Sequence, residues 1–400
     1  MLPILQLWRR DVDYVKGGGF SFQLLKGVED EGRLGKASTP HGVFSTPTFM
    51  PVGSQGSVKA LSPVDLKEIG TEIILCNAYH LYLRPGTEIV KEMGGLHGFM
   101  GWDGPILTDS GGFQILSLCA LREVDREGVQ FRSHLDGSLH VITPEKSIQV
   151  QEALKADIMM VLDDCPPYPI SFGEAKASME TTTQWARRAK KAKSRDDQAL
   201  FGIVQGGMYQ ELRHQSAYEL MEIEFDGYAI GGLSVGEEKE LTFEIAKATI
   251  SMLPADSPRY LMGMGTPEDI LAGVRLGVDM FDCVLPTRCA RTGILFTSFG
   301  RVAIKNTRYS NDKNPVDPQC GCYTCQNFSR AYLRHLFLSR ELLSYRLNAI
   351  HNLFYYNALI RDIRQALSQD KMDQFVRAFF SQRGNDDGGV LEEKGGEILC

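Results

Sequence analysis

At 400 residues, 43% hydrophobic and 23% charged, the chain has ordinary globular composition and enough apolar material for a large core. A formal charge of −7 announces no polyanionic partner, so any nucleic-acid site must be a local basic patch on an acidic body. No apolar stretch approaches the roughly 20 residues of a membrane span. Residues 2–7 are too short a run for a signal segment, and the odd count of nine cysteines lacks a secretory context, so a reducing cytoplasm is expected.

Residues 1–19, ending in Gly17-Gly18-Gly19, read as a loosely ordered extension. Short apolar runs then recur at 48–52, 73–77, 106–109, 158–163, 201–205, 228–232, 260–263 and 280–284, each ending in small or polar residues. Amphipathic, helix-like stretches at 174–193, 209–221 and 238–253 separate several of them. Such runs predict buried parallel strands. With helices between them they predict an α/β fold, a (β/α)8 TIM barrel spanning 20–300. A doubly wound open sheet is the competing arrangement, because periodicity alone does not prove closure. Between the third and fourth runs, 129–142 alternates around Asp136-Gly137, which predicts an inserted β-hairpin with a tight turn.

Residues 301–382 read as a zinc-binding and helical C-terminal subdomain packed on the barrel, with a long helix over 340–367. Cys320, Cys322 and Cys325 crowd one short loop, and three thiolates so placed can converge on one ion that a distant histidine completes. His351 is the expected fourth ligand, with His335 competing. Four protein ligands leave no place for a catalytic water, so this Zn2+, one per subunit, should be structural. Cys76, Cys119, Cys165, Cys283, Cys289 and Cys400 show no such grouping. The Gly-rich acidic tail, 383–400, is expected to be disordered.

The strand ends carry the chemistry. Asn77, Asp109, Asp163, Gln205 and Asp282 all lie at or near the C-terminal end of a run, the face on which such barrels collect catalytic groups. Asp109 opens Asp-Ser110-Gly111-Gly112-Phe113-Gln114, in which the glycines allow close backbone approach to a planar ligand and Phe113 can stack on it. Any one of these aspartates alone reads equally well as a strand-end or capping residue. Five polar ends on one rim do not.

The segments Thr39-Pro40-His41-Gly42-Val43-Phe44, Asn77-Ala78-Tyr79-His80-Leu81, Asp109–Gln114 and Met280-Phe281-Asp282-Cys283-Val284-Leu285-Pro286-Thr287-Arg288 resemble the tRNA-guanine transglycosylases, of the queuine tRNA-ribosyltransferase family. The resemblance runs from about Phe20 to Arg383. It implies Asp282 as the nucleophile that attacks C1′ of the target nucleotide and Asp109 as the general acid/base. It also implies a base pocket formed by Ser110, Gly111, Gly112, Phe113, Asp163, Cys165, Gln205, Gly232, Leu233, Tyr260 and Met262. It places tRNA contacts in two loops, Gly263, Met264, Gly265, Thr266, Pro267, Glu268, Asp269 and Thr287, Arg288, Cys289, Ala290, Arg291. Zinc ligands Cys320, Cys322, Cys325 and His351 match as well. The implied substrate is the wobble guanine of tRNAs with a G-U-N anticodon, and the implied assembly is a homodimer.

Cys165 and Val235 resemble bacterial-type members, whereas queuine-using eukaryotic ones carry glycine at both places. The incoming base is therefore expected to be 7-aminomethyl-7-deazaguanine, a 7-deazaguanine-type base whose ammonium the Gly231–Leu233 peptide groups would accept. Asp164 departs from the glutamate common at that position. Residues 284–351 carry a local charge of +7, enough for a phosphate-binding face. Rival readings are a queuine-inserting salvage enzyme, a non-catalytic tRNA-binding paralogue, and a barrel hydrolase of free nucleosides or glycosides.

Overall fold

The computed structural model describes residues 19–28, 32–119 and 122–383. The expectations for the N-terminal extension and the acidic tail lie outside these residues, Gly19 and Arg383 excepted. Eight parallel strands form one sheet: Thr48–Pro51, Ile74–Asn77, Ile106–Asp109, Ile158–Met160, Ala199–Val204, Gly227–Ile230, Arg259–Leu261 and Met280–Cys283. Each pairs in parallel with its neighbour in chain order, and the last pairs with the first. The remaining seam, between the first and second strands, is closed by a parallel bridge from Val52 to Leu75 and by a 2.6 Å bond from Gly53 N–H to Leu75 O. The sheet is a TIM barrel, not an open one, and all eight strands overlap the runs expected from the sequence, three of them starting one or two residues earlier.

These runs are continuous rather than alternating because both faces are covered. Ala199–Val204 is buried at every position, and so are Ile74–Asn77 and Ile106–Asp109. Side chains such as Ile158, Phe201, Ile230 and Phe281 fill the shared core with the inner faces of the surrounding helices. Helices Phe172–Ala192, Gln210–Met221 and Lys239–Ile250 follow strands four to six close to their expected bounds. The first of them starts in a capping box, Ser171 with Glu174, which satisfies two of the free N–H groups of its first turn.

The bottom of the barrel is stitched by aspartates that precede even-numbered strands. Asp157 accepts Ile106 N–H at 2.8 Å, Asp226 accepts Leu200 N–H at 2.8 Å, and Asp279 accepts Arg259 N–H at 2.8 Å. Each carboxylate thus ties the start of its own strand to the start of the one before. An antiparallel sheet absent from the sequence reading, Ser21–Val28, Gly32–Thr39 and Gly42–Thr46, covers this end. It is anchored by Arg33 Nε on Asp279 at 3.0 Å and by His41 Nδ1 on Asp157 at 2.7 Å.

The insert between strands three and four is larger than a hairpin. Arg122–Val124 joins Val129–Arg132 and Leu139–Ile142 in a three-stranded sheet. Its turn is longer than the two-residue turn that Asp-Gly favours: Ser133 N–H bonds Ser138 O at 2.8 Å across four intervening residues, with Gly137 at φ 74°. After the barrel, a hairpin of Ile294–Thr297 and Gly300–Ala303 straddles the expected boundary at residue 300 and packs with the C-terminal part in a second small core of Leu295, Val302, Val316, Leu333 and Leu347. The long helix runs Leu342–Ser368. No helix among the described residues is long and apolar enough to cross a membrane.

The His41–Asp157 pair carries a pH signature. The hydrogen bond to Asp157 raises the His41 pKa above its ordinary value, and the same bond helps hold the Asp157 carboxyl low. A histidine raised on folding contributes stability that is full below its unfolded pKa and is lost as pH rises through the folded one. The destabilisation caused by His41→Gln should therefore be larger near pH ~6 than near pH ~9, by about 1 kcal/mol or less because His41 is part-exposed. Thermal unfolding of both proteins at the two pH values reads this directly; an equal difference at both would contradict it.

Candidate active site and metal centre

At the opposite end, the strand termini converge on a cleft of about 930 Å³, its open mouth included. Asp109, Asp163 and Asp282 all line it. Asn77 and Asp109 are register partners on adjacent strands, so their side chains meet: Asn77 Nδ2 donates to Asp109 Oδ2, and Ala78 N–H donates to Oδ1 at 2.9 Å. Burial nonetheless pushes the Asp109 carboxyl up to about 7, with the charge of Asp282 adding to the rise. A carboxyl that titrates near neutrality can both give and take a proton.

Asp282 is held from one side. Tyr260 O–H donates to Oδ1 at 2.6 Å and Gly263 N–H donates to the same oxygen at 2.8 Å. Oδ2 has no protein donor among the described residues, and an unengaged carboxylate oxygen can act as a nucleophile. Burial raises this pKa too, and the two donors oppose it. Asp163 accepts Gln205 Nε2 at 2.8 Å and Ser110 Oγ at 3.4 Å, while burial pushes it up to about 6. Among the described residues none of the three has a cationic partner within ion-pair distance, unlike Asp279 at the bottom with Arg33.

Close packing explains the glycines. A Cβ on Gly112 would lie 2.6 Å from Asp163 O and 2.8 Å from its carboxylate. One on Gly232, at φ 63°, would run into Gln205 Oε1. That oxygen and Gln114 Oε1 are buried acceptors without a partner among the described residues, a state costing about 1–3 kcal/mol each unless a ligand relieves it. Of the three carbonyls expected to meet an ammonium, those of Gly231 and Gly232 already accept from the buried Arg213, leaving Leu233 O.

Two histidine-containing clusters have metal-like composition, and distance separates them. Tetrahedral zinc with Zn–S of about 2.3 Å and Zn–N of about 2.05 Å puts S and N about 3.6 Å apart. His351 Nδ1 lies 3.7, 3.5 and 3.3 Å from the sulfurs of Cys320, Cys322 and Cys325. Its Nε2–H donates to Phe296 O at 2.8 Å, which leaves Nδ1 bare toward the thiols. These residues can hold a metal ion. His335 is exposed and outside the cluster. In the His41, His97 and Asp157 group the 2.7 Å contact is a hydrogen bond, shorter than the roughly 3.3 Å of two ligands on one ion.

The sequence comparisons give the family. A family model described as Queuine tRNA-ribosyltransferase matches residues 29–385. The chain belongs to the queuine tRNA-ribosyltransferase family. A relative from Acetivibrio thermocellus, named Queuine tRNA-ribosyltransferase, is 54% identical over 91% of this chain and 98% of its own length. One of the same name from Halothermothrix orenii is 54% identical over 90% and 98%, and one from Thermoanaerobacter sp. 55% over 90% and 96%.

Most family positions carried over from the sequence line the cleft: Ser110, Gly111, Gly112, Phe113, Cys165, Gly232, Leu233, Tyr260, Met262 and Gly263. Gln205 reaches it through Asp163. The two loops expected to touch tRNA are more inward than the family match implies. Met264, Asp269, Thr287, Cys289 and Ala290 are buried, and so are Gly265 and Pro267. Asp269 caps its helix with Thr266 and pairs with Lys239, and Glu268 pairs with Arg383. These residues shape the loops, while Arg291 is exposed and Arg288 half-buried. Arg330 and Arg346 in the basic segment are likewise spent on Asp312 and Asp65. The cleft also contains Val52, Ser54, Leu75, His80, Gln114, Ser234 and Val284, which the sequence reading did not assign to the site. His80 and Gln114 sat inside quoted family motifs, so a signal existed for them.

The helix that bears His351 grips the surroundings of Asp282. Asn352 Nδ2 donates to Pro286 O at 2.9 Å and Ile294 O at 3.0 Å, while its Oδ1 accepts Phe296 N–H at 3.0 Å. Asn348 Nδ2 donates to Ala290 O at 3.1 Å, and Tyr356 O–H to Gly265 O at 2.7 Å. A structural zinc binds with on the order of 10 kcal/mol, comparable to a domain's whole stability. Chelation should therefore lower Tm by ~10 °C or more and weaken tRNA binding more than base binding. Calorimetry and separate KM values check this; unchanged stability in excess chelator would contradict it.

Proposed function

We propose that this chain exchanges the wobble guanine of G-U-N tRNAs for 7-aminomethyl-7-deazaguanine, a step in queuosine biosynthesis, through a covalent Asp282 adduct. The observation that carries the reading is the pairing on one rim of a one-sidedly held Asp282 with an Asp109 that titrates near 7. Asp282 Oδ2 attacks C1′ as the glycosidic bond breaks through an oxocarbenium-like state, and the bond's electron pair leaves with guanine. Asp109 supplies the proton that the departing base needs. The incoming base then gives its ring N–H proton to Asp109, attacks C1′ and displaces Asp282, so configuration is retained. Asp163 pairs with the N1–H and exocyclic amine, and Gln205, Gly232 and Leu233 meet the carbonyl edge, with Phe113 stacking. The target base must leave its stack to enter this cleft.

Arg288 and Arg291 flank the strand end that bears Asp282, a placement suited to the unstacked anticodon nucleotides. One structural Zn2+ per subunit is held by Cys320, Cys322, Cys325 and His351 and fixes the helix that supports this region. The protein works in the cytoplasm as a homodimer. The exposed Tyr323 and Tyr332, with Phe328 stacked on Tyr332, are apolar surface suited to a second copy. A non-catalytic paralogue would have no need of Asp109 and Asp282 in this arrangement.

Purified protein given radiolabelled guanine and a G-U-N tRNA should move label into RNA, and Asp282→Ala should abolish this by about 10⁴-fold or more. No incorporation by the folded, zinc-loaded protein would sink the activity, and equal incorporation by the variant would sink the nucleophile. Pocket size decides the second base. Cys165 and Val235 both line the cleft, so 7-aminomethyl-7-deazaguanine should outcompete queuine in the wild type. The Cys165→Gly/Val235→Gly double variant should narrow that preference by about 10-fold or more. Unaltered preference would remove these side chains from base selection.

A further inference from the structure

Arg213 is fully buried on helix Gln210–Met221, with no carboxylate within ion-pair distance among the described residues. Its guanidinium spends its donors on backbone carbonyls alone. Nε donates to Gly207 O at 2.9 Å, Nη1 to Val204 O at 3.0 Å and Gly231 O at 2.7 Å, and Nη2 to Gly232 O at 3.3 Å. Burial pulls its pKa down to about 10, so it stays charged at neutral pH. A buried cation without a counter-ion is costly. Its place, behind the peptides that wall the base cleft, supplies a reason for keeping it.

The C=O and N–H of a trans peptide unit point in opposite directions. With Gly231 O drawn to Arg213, the N–H of Gly232 points away from the guanidinium; with Gly232 O drawn there, so does the N–H of Leu233. Gly231 N–H is already committed to Val204 O at 3.1 Å, but the next two N–H groups have no protein partner among the described residues. Gly232 and Leu233 line the cleft. Two successive glycines hinge these peptides, and Gly232 at φ 63° adds a conformation that glycine tolerates at little cost, so something must hold the planes.

We infer that Arg213 is a positioning residue for base recognition: it locks two consecutive peptides so that the Gly232 and Leu233 N–H groups donate to the carbonyl oxygen of the bound purine. The inference rests on the reading of this cleft as the guanine site. The guanidinium also polarises the peptides it grips, which strengthens their N–H groups as donors. Negative charge develops on the purine oxygen as guanine leaves, so the donors act more strongly in the transition state than on the bound base. Arg213 therefore affects kcat as well as base KM, and leaves tRNA KM alone.

The test uses full-length, zinc-loaded Arg213→Met and Arg213→Lys proteins, checked for folding by thermal melts. Labelled guanine exchange is measured with 6-thioguanine as the competing base, since sulfur is a poorer hydrogen-bond acceptor than oxygen. The wild type should prefer guanine. Arg213→Met should lose about 100-fold in kcat/KM for guanine, with unchanged tRNA KM, and its preference over 6-thioguanine should collapse toward 1. Arg213→Lys, which keeps the charge but not the fork, should fall between. A folded Arg213→Met with wild-type kinetics and preference would overturn the inference. If that variant does not fold, Arg213→Lys decides: unchanged preference overturns it, and reduced preference supports it. A wild type that exchanges no guanine would instead overturn the reading of the cleft, a different result from an insensitive Arg213.

Discussion

Closure of the barrel at the Val52–Leu75 seam is the constraint on which the site depends. In an open sheet the ends of the third and eighth strands would be carried far apart. Closed, the sheet brings Asp109 and Asp282 to one rim, close enough for the charge of one to raise the pKa of the other. The walls that close also exclude water, and desolvation is the largest cause of the raised pKa at Asp109, Asp163 and Asp282 alike. The fold thus makes proton exchange near neutrality possible before any substrate arrives.

The two ends of the barrel use one residue type in opposite ways. Asp157, Asp226 and Asp279 accept the N–H groups that begin the third, fifth and seventh strands, and Asp279 adds Arg33. At the top, the carboxylates receive hydrogen bonds from neutral groups only: Asn77 and Ala78, Tyr260 and Gly263, Gln205 and Ser110. A displaced pKa does not separate the two sets, since burial also pushes Asp279 up to about 6. Partners do. Asp279 has the cationic Arg33, whereas among the described residues the three cleft aspartates have neutral donors, and Asp282 keeps one oxygen without a protein donor.

A third layer of support comes from outside the barrel. Asn348, His351, Asn352 and Tyr356 lie within about two turns of one helix, and each engages a segment near the eighth strand. His351 of the thiol cluster and the amides that hold residues 286–296 are thus parts of one rigid element. Arg213 does the corresponding task on the other side of the cleft, for the ends of the fifth and sixth strands. Neither device touches a base, yet both fix backbone that would.

The sequence alone was enough for the eight strands, because continuous burial on both faces writes itself as apolar runs, and for the three cysteines, whose spacing is local. Helix bounds also came close, since amphipathic period and capping residues are local signals. The motifs Asp109–Gln114 and Met280–Arg288 pointed to a family before any contact was known. What depended on distance was not legible. The fold, and not spacing, places His351 rather than His335 among the three thiols, and it alone shows the larger insert around Gly137, whose third strand pairs through Arg122–Val124. The N-terminal sheet was missed because its strands are not continuous apolar runs, and its fixing partners lie more than 100 residues away, at Asp157 and Asp279. Of the two loops that the resemblance assigns to tRNA contact, about half of the side chains are buried, which no sequence motif displays. Nothing in the sequence sets Arg213 apart, and only the return of the sixth strand beside the fifth surrounds it with carbonyls. Local chemistry is written along the chain; which groups meet across the barrel is decided by closure, where hydrogen-bond geometry selects among residues that composition leaves equivalent.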